Sequence, residues 1–320
     1  MNVPLRHDVS TCGRSTVLRR TRIIFAWLAM SLLMSLLTPH LGAAADKEPP
    51  FITGLLDLPL SNYYLTPRGV NVENAGVIFQ PLLLLNANLY QSDGPLSNIT
   101  ATVGVWNSIH SKNRSGNAPG STSTPNWNEL DFLSGLSVTL LKDWTFSIGY
   151  EYWLSPIDAF PPTSILQLKL AYTDSFLKGF MPKNSGELSL NPYINFFIEL
   201  HNKSAAAATI EESFYVELGM TPKYVFAGYP LSIELPTYIT FPGSDFYSQD
   251  STVGVFGTGV KVTAPLTFIR ERYGKWSVHA DLVYKYLAND GVVFDNLTAL
   301  PPHAGTRHPV QFVGGLTLTF

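Results

Sequence analysis

The sequence is poor in cysteine, with Cys12 the only one among 320 residues. A single cysteine cannot build a disulfide framework or a cysteine-rich metal site. Cys12 also lies within residues 1–45, a segment that we expect to be removed on export. The mature chain would then have no thiol nucleophile and no thiolate ligand, and we predict neither a cofactor nor a metal site.

Charged side chains are also scarce. They make up 14% of the chain, whereas about 25% is usual in soluble domains. Without residues 1–45 the balance is 16 Lys and Arg against 23 Asp and Glu, a net charge of about −7. An acidic surplus is repelled by phosphate backbones, so we do not expect nucleic acid as a partner.

Long hydrophobic runs are missing after residue 45, where none reaches the ~20 residues of a membrane-spanning helix. The apolar run that precedes it, residues 23–37, follows four arginines between residues 14 and 22 and is followed by Ala43-Ala44-Ala45. This order is typical of a cleaved signal peptide, and a retained membrane anchor is the weaker alternative because the run is short. We therefore predict a signal peptide over 1–45 and an outer-membrane β-barrel over 46–320.

What the chain does contain is alternation, most clearly in its last segment, residues 310–320. Phe312, Leu316, Leu318 and Phe320 occupy one register, and mostly small or polar residues occupy the other. This pattern predicts a strand with one apolar face. A core strand of a soluble β-sandwich is the alternative, but an apolar edge strand left open promotes aggregation, whereas a closed barrel has no edge.

The terminal strand is also similar to the signal by which Gram-negative outer-membrane proteins are recognised for assembly. On this similarity Phe312, Leu316, Leu318 and Phe320 form an assembly signal. Its expected partners are the barrel-assembly machinery and the lipids of the outer membrane.

The same alternation recurs in twelve segments, an even number as in bacterial single-chain barrels. They are residues 52–65, 77–90, 99–110, 127–140, 144–154, 165–173, 187–201, 212–221, 231–241, 253–264, 276–287 and 310–320. The long polar connections 111–126 and 288–309 fall on one side and the tight turns 92–95 and 141–143 on the other. We predict an all-β fold, a single transmembrane antiparallel β-barrel of about 12 strands in the bacterial outer membrane. A further strand pair around 292–294 stays open as an alternative.

Two blocks of the sequence resemble the TorF family of outer-membrane porins. The first is Ser61-Asn62-Tyr63-Tyr64-Leu65-Thr66-Pro67-Arg68-Gly69-Val70, followed by Gln80; the second joins Val105-Trp106-Asn107-Ser108, Glu129-Leu130-Asp131 and Gly149-Tyr150-Glu151-Tyr152. The resemblance covers roughly residues 55–175 and implies a barrel with porin activity, without catalytic residues. Thr66-Pro67 and Asn71-Val72 depart from the family pattern, which leaves a sister family as the alternative.

The inward register of the predicted strands collects ionisable side chains that would line a lumen. They are Asp131, Glu151, Lys169, Glu199, Glu217, Glu234, Lys261, His279, Asp281 and Lys285. We expect Glu199, Glu217 and Glu234 to form an acidic patch, Glu151 to pair with Lys169, and Lys261 to pair with Asp281. A surplus of acid in a narrow lumen favours the passive diffusion of cations and other small polar solutes.

Two other functions remain as alternatives. One is a hydrolase of lipid or peptide with His110 or His201 near the barrel rim and Ser108 or Asp131 as neighbours, although no nucleophile or metal-binding motif accompanies them. The other is a plugged structural or adhesive barrel that acts through its extracellular loops. The sequence predicts no catalytic residue, so we do not expect an enzyme.

Overall fold

A computed structural model of the protein describes residues 50–112, 126–174, 177, 186–205, 211–249, 252–299 and 305–320. The predicted signal peptide, residues 1–45, lies outside the described residues. So do residues 113–125 of the predicted loop 111–126 and residues 300–304 of the predicted loop 288–309.

The described residues form eighteen strands and one α-helix, α1 (Asp290–Ala299). The strands are β1 (Ile52–Ser61), β2 (Tyr64–Leu65), β3 (Asn71–Glu73), β4 (Ile78–Phe79), β5 (Leu82–Gln91), β6 (Leu96–His110), β7 (Trp127–Leu140), β8 (Trp144–Leu154), β9 (Thr163–Tyr172), β10 (Glu187–Ser189), β11 (Pro192–His201), β12 (Phe214–Met220), β13 (Lys223–Val225), β14 (Ser232–Glu234), β15 (Thr237–Pro242), β16 (Val255–Pro265), β17 (Lys275–Leu287) and β18 (Val310–Thr319). Sixteen of them belong to one antiparallel sheet, and β2 pairs with β3.

The sheet closes on itself because β1 pairs with β5 on one side and with β18 on the other. Leu56 lies opposite Leu318 and Leu58 opposite Leu316 in this closing pair. Four barrel strands are divided into two strands in line: β4 with β5, β10 with β11, β12 with β13, and β14 with β15, of which β13 lies beyond the predicted segment 212–221. The sheet thus has twelve barrel strands, and the predicted antiparallel barrel is confirmed.

Proline lies in three of these interruptions, at Pro81, Pro222 and Pro236. Proline has no backbone N–H and cannot donate to the neighbouring strand, which weakens the hydrogen-bonded ladder at these positions. The fourth interruption, residues 190–191, contains Asn191 with a φ of +51° and directly precedes Pro192, the first residue of β11.

Alternation along the barrel strands sorts apolar side chains to the outside. The exposed set includes Leu60, Phe132, Leu136, Phe146, Ile148, Leu170, Phe196, Leu218, Leu282 and Phe312. A belt of this size would aggregate in water but is solvated by lipid. Aromatic side chains mark its borders, with Trp144 packed at 4.8 Å on Tyr172 at one end. The protein is therefore an outer-membrane β-barrel.

The two ends of the barrel differ. We call the end with connections 62–77, 155–162, 243–254 and 288–309 the loop end, and the end with 92–95 and 141–143 the turn end. The first predicted strand was too long, because β1 stops at Ser61 and residues 62–77 leave the barrel wall.

A second correction concerns residues 292–294, which belong to helix α1 and not to a strand pair. The side-chain oxygen of Asn289 accepts the Gly291 N–H at 2.7 Å and caps the first turn of the helix. In the part of the chain that the structure describes, no helix is long and apolar enough to cross a membrane.

The closing strand gives a test of assembly. Gly54 and Phe320 exchange two backbone hydrogen bonds, 2.7 and 3.0 Å long, and the Phe320 ring fills the space that a side chain at Gly54 would need. We expect deletion of Phe320 to lower the folded, heat-modifiable fraction in outer-membrane preparations. Phe320→Tyr keeps the ring and should assemble normally; equal assembly of wild type and deletion would contradict the predicted signal.

Candidate functional site in the barrel lumen

Residues 62–77, which we call the inner loop, fold into the barrel from the loop end. Strands β2 and β3 form its hairpin, and Thr66 closes the tip by accepting the Gly69 N–H at 2.9 Å. Gly69 has a φ of +86°, and a side chain there would meet Val255, Leu287 and Val292. Glycine permits both this backbone conformation and the close contact.

Side chains from distant parts of the chain donate to the backbone carbonyls of the inner loop. Lys285 Nζ contacts Leu65 and Thr66 at 2.8 Å each, Tyr238 contacts Pro67 at 3.1 Å, Tyr247 contacts Arg68 at 2.6 Å, and Asn296 contacts Gly69 at 2.9 Å. Burial raises the pKa of Tyr247, which keeps its phenol protonated as a donor. These bonds satisfy carbonyls that would otherwise cost about 1–3 kcal/mol each if buried without a partner.

Apolar packing fixes the same loop. Val70 belongs to a buried cluster with Tyr215, Phe246, Val255 and Leu287. The cluster also includes Tyr247 and, from helix α1, Val292. The apolar contacts of Val70 thus lie on the β12 and β16–β17 side of the barrel and at α1, whereas Tyr64 and Arg68 of the same loop reach Glu129 and Trp153 on β7 and β8.

A cavity of about 370 Å³ lies beside the inner loop, bordered by residues of β6–β9, β11 and β12. Its walls combine aromatic rings with four carboxylates and one guanidinium. The lining residues are Tyr64, Pro67, Arg68, Trp106, Glu129, Asp131, Glu151, Trp153, Ile165, Gln167, Phe197, Glu199, Ser204, Tyr215 and Phe246.

The four carboxylates of this cavity differ in the ion pairs and hydrogen bonds that they make. Glu199 pairs with Lys203 at 2.7 Å and also accepts the Ser204 N–H. Among the described residues, Glu129 accepts a hydrogen bond from the neutral Tyr64 hydroxyl at 2.7 Å. Glu151 likewise accepts neutral N–H groups, from Trp153 at 2.8 Å and from Gln167.

Asp131 differs because its Oδ1 is buried without a hydrogen-bond partner in the described part of the chain, and the residue is only 7% exposed. Arg68 is the cation that lines this cavity. Its guanidinium stacks on Trp153 at 4.6 Å and its Nε donates to the Ser204 carbonyl at 2.6 Å. Within the described ranges Arg68 makes no ion pair with any of these carboxylates.

A second cavity of about 180 Å³ adjoins the first, since Glu151 and Gln167 line both. Thr102, Ser137 and Ser147 are among its lining residues and lie nearer the turn end of their strands. Small polar side chains thus continue from the cavity beside the inner loop along the β6–β9 wall.

The ten predicted luminal residues all occupy the inward register of their strands. Lys261 lies 4.0 Å from Asp281, as predicted. His279 contacts Asp281 at 3.0 Å and Asp57 at 3.2 Å, and Lys285 anchors the inner loop. Whether these residues line a conducting pore stays a prediction.

Two predicted groupings are wrong. Glu151 does not pair with Lys169, whose ammonium lies 4.4 Å from the Tyr193 ring centre. The expected patch of Glu199, Glu217 and Glu234 does not form because the strands are staggered. Glu217 lies opposite Asn195 and Thr240, and Glu234 lies opposite Lys223 and Lys261, so each glutamate has its own neighbours.

The sequence prediction missed two charged residues of the main cavity, Glu129 and Arg68. Glu129 is two residues from Asp131 in the same register, so alternation alone signals it. Arg68 is different, because it lies beyond the first predicted strand, residues 52–65, and belongs to no alternating segment. Its place in the lumen depends on contacts with residues more than 130 positions away.

One contact in the structure bears on the hydrolase alternative. Ser108 Oγ lies 2.9 Å from His110 Nε2. Ser108 is 0% exposed, and His110 Nδ1 is buried without a partner, so the described residues supply no third group to orient the imidazole. His201 is exposed at the end of β11. The described part of the chain contains no cluster of three or more side chains suited to a metal ion.

Comparison with known proteins gives similar barrels. No family model matches the sequence, and no curated protein matches it. The NanC porin is 10% identical over 82% of this chain and 98% of its own, with a TM-score of 0.47. An outer-membrane channel from Pseudomonas putida F1 is 12% identical over 88% of this chain and 100% of its own, also with a TM-score of 0.47. Similarity at this level transfers no activity, and membership of the TorF family stays a prediction.

The anchoring of the inner loop can be tested at Lys285. In Lys285→Met two buried carbonyls lose a charged donor, and each such bond is worth about 1.5–3 kcal/mol. We expect faster amide hydrogen exchange in residues 64–73. Lys261→Met is the matched control, since Lys261 approaches Asp281 and not the loop. Equal protection in both variants would show that Lys285 does not hold the loop.

Proposed function

We propose that the protein is an outer-membrane channel for the passive diffusion of ions and small polar solutes, with a narrow acidic lumen that the inner loop constricts. The observation that carries the proposal is the pair of adjoining cavities along the β6–β9 wall. They share Glu151 and Gln167, and together they extend from the inner loop toward the turn end.

The position of the inner loop favours a narrow pore over a sealed plug. Its anchors, Tyr238, Lys285 and Asn296, lie on β15, β17 and α1. The opposite wall, from β6 to β9, presents Thr102, Gly135, Ser137, Ser147 and Gly149 to the second cavity. Small side chains on this wall leave space, and their hydroxyl groups can replace part of the hydration of a passing solute.

Charge in the main cavity favours cations. Glu129, Asp131 and Glu151 outnumber Arg68, and Glu199 is already neutralised by Lys203. A lumen of low dielectric strengthens the effect of such a surplus on ions. The ten luminal residues predicted from the sequence belong to this proposal as the pore lining, with Glu129 and Arg68 added.

The outward partners follow from the same barrel. Outer-membrane lipids solvate the apolar belt, and the C-terminal strand, with Phe312, Leu316, Leu318 and Phe320, is the proposed contact for the assembly machinery. A barrel blocked by the inner loop and acting through its outer loops remains the competing function. A blocked barrel would have the same fold as the proposed channel and would differ from it in conducting no ions.

Removing the constriction tests the channel. Replacing residues 64–73 with a short Gly-Ser tether should raise single-channel conductance in planar bilayers, because the main cavity then opens into the rest of the lumen. Folding is checked by the heat shift on gels. A folded protein that conducts in neither form would overturn the channel and favour the blocked barrel.

The cation preference gives a separate test. Glu151→Gln should lower the cation-to-anion permeability ratio measured from reversal potentials, because one negative charge leaves the wall that the two cavities share. The control is Asp93→Asn in the exposed 92–95 turn, where the carboxylate is solvated and 3.8 Å from Lys142. A ratio unchanged by Glu151→Gln would remove these carboxylates from the selectivity of the pore.

A further inference from the structure

The main cavity contains a three-residue row that the diffusion of ions does not explain. On three adjacent strands Trp106 lies directly opposite Asp131, and Asp131 directly opposite Trp153. Cross-strand neighbours of this kind have Cβ atoms about 5 Å apart. All three side chains line the cavity, so a carboxylate lies between two indole rings. We call these residues the Trp–Asp–Trp row.

Among the described residues, Asp131 at the centre of the row has no ion-pair partner, although Arg68 lines the same cavity. Its Oδ1 is buried and accepts no hydrogen bond, although the residue is 7% exposed and lines an open space. Burying a carboxylate without a partner is unfavourable, and native structures normally pair such groups. An occupant of the cavity that carries a donor would supply the missing hydrogen bond, and a positive charge on it would add to that of Arg68.

The rings around Asp131 define the chemistry of that occupant. Tyr64 packs on Trp106 with ring centres 5.5 Å apart, and Arg68 already stacks on Trp153. Aromatic faces attract organic cations through the negative potential of the ring. The contact of Arg68 shows that a cation is accommodated at Trp153, and the carboxylates Glu129, Asp131 and Glu151 leave charge for a second one.

A bare metal ion fits the row less well. Divalent cations such as calcium take six to eight oxygen ligands, which indole rings cannot provide. The volume of about 370 Å³ also lies at the lower end of the range for small-molecule sites, about 300–1,000 Å³. Size and wall chemistry both favour a compact organic molecule.

We propose that the Trp–Asp–Trp row binds the ammonium group of a small organic amine whose apolar body packs on Trp106 and Tyr64. The ammonium donates to the Asp131 carboxylate, and Glu129 adds negative charge beside it. The inference rests on the proposed channel for its physiological meaning, because it assigns organic cations as a solute class. Binding itself does not require conduction.

Calorimetric titration of the folded full-length protein in detergent tests the site with benzylammonium chloride as the probe. Benzyl alcohol, which is similar in shape and neutral, is the matched ligand, and micelles without protein correct for partitioning. We expect benzylammonium to bind at least tenfold more tightly than the alcohol. Equal binding of the two ligands would overturn the proposal.

Two variants test where the ligand binds. Asp131→Asn should abolish the preference for benzylammonium over benzyl alcohol. Trp106→Leu should weaken the binding of benzylammonium and leave that preference in place. Asp93→Asn, in the exposed turn 92–95, should bind as wild type does. If Asp131→Asn does not fold, Trp106→Leu still decides, since unchanged benzylammonium affinity in that variant contradicts the row as the site. Binding without conductance would overturn the channel alone, and conductance without binding would overturn the site alone.

Discussion

Backbone N–H and C=O groups in a bilayer have no water to bond with, and each strand must therefore pair with a neighbour on both sides. The pairing of β1 with β18 meets this requirement at the two strands that would otherwise be edges. Once the sheet is closed, alternation has one outcome, an apolar surface against lipid and a polar surface around a lumen. Short interruptions, three of them at prolines, divide four barrel strands without opening the ring.

The same requirement governs the inner loop, although side chains satisfy it there. Residues 65–69 cross the lumen with few backbone partners, and Lys285, Tyr247 and Asn296 donate to their carbonyls. These donors occupy one side of the barrel, so the free space and the unpaired carboxylates are left on the other. The constriction, the acidic cavity and the Trp–Asp–Trp row all depend on this division of the lumen.

The barrel was predictable because a period of two is a local property, and a strand such as β8 sorts its two faces without reference to the rest of the chain. Inward positions such as Glu151 and Lys169 follow from that period. Their partners do not, because the stagger between strands decides which residues face each other; Glu217 meets Asn195 and Thr240 and not another glutamate. Helix α1 was missed because Val292 and Val293 read as strand, whereas the cap at Asn289 acts through a single side chain. The inner loop depends on pairs such as Gly69 with Asn296, 227 residues apart, which local patterns do not contain.

The anchors of the inner loop also impose an order on folding. Lys285, Asn296 and Gln311, which donates to the Tyr63 carbonyl at 2.6 Å, all belong to the last 36 residues of the chain. Contacts of such high sequence separation form late, because the intervening chain must be placed first. A segment near the start of the barrel therefore waits for its last strands before it can dock. Docking of the inner loop marks the completion of the barrel around it.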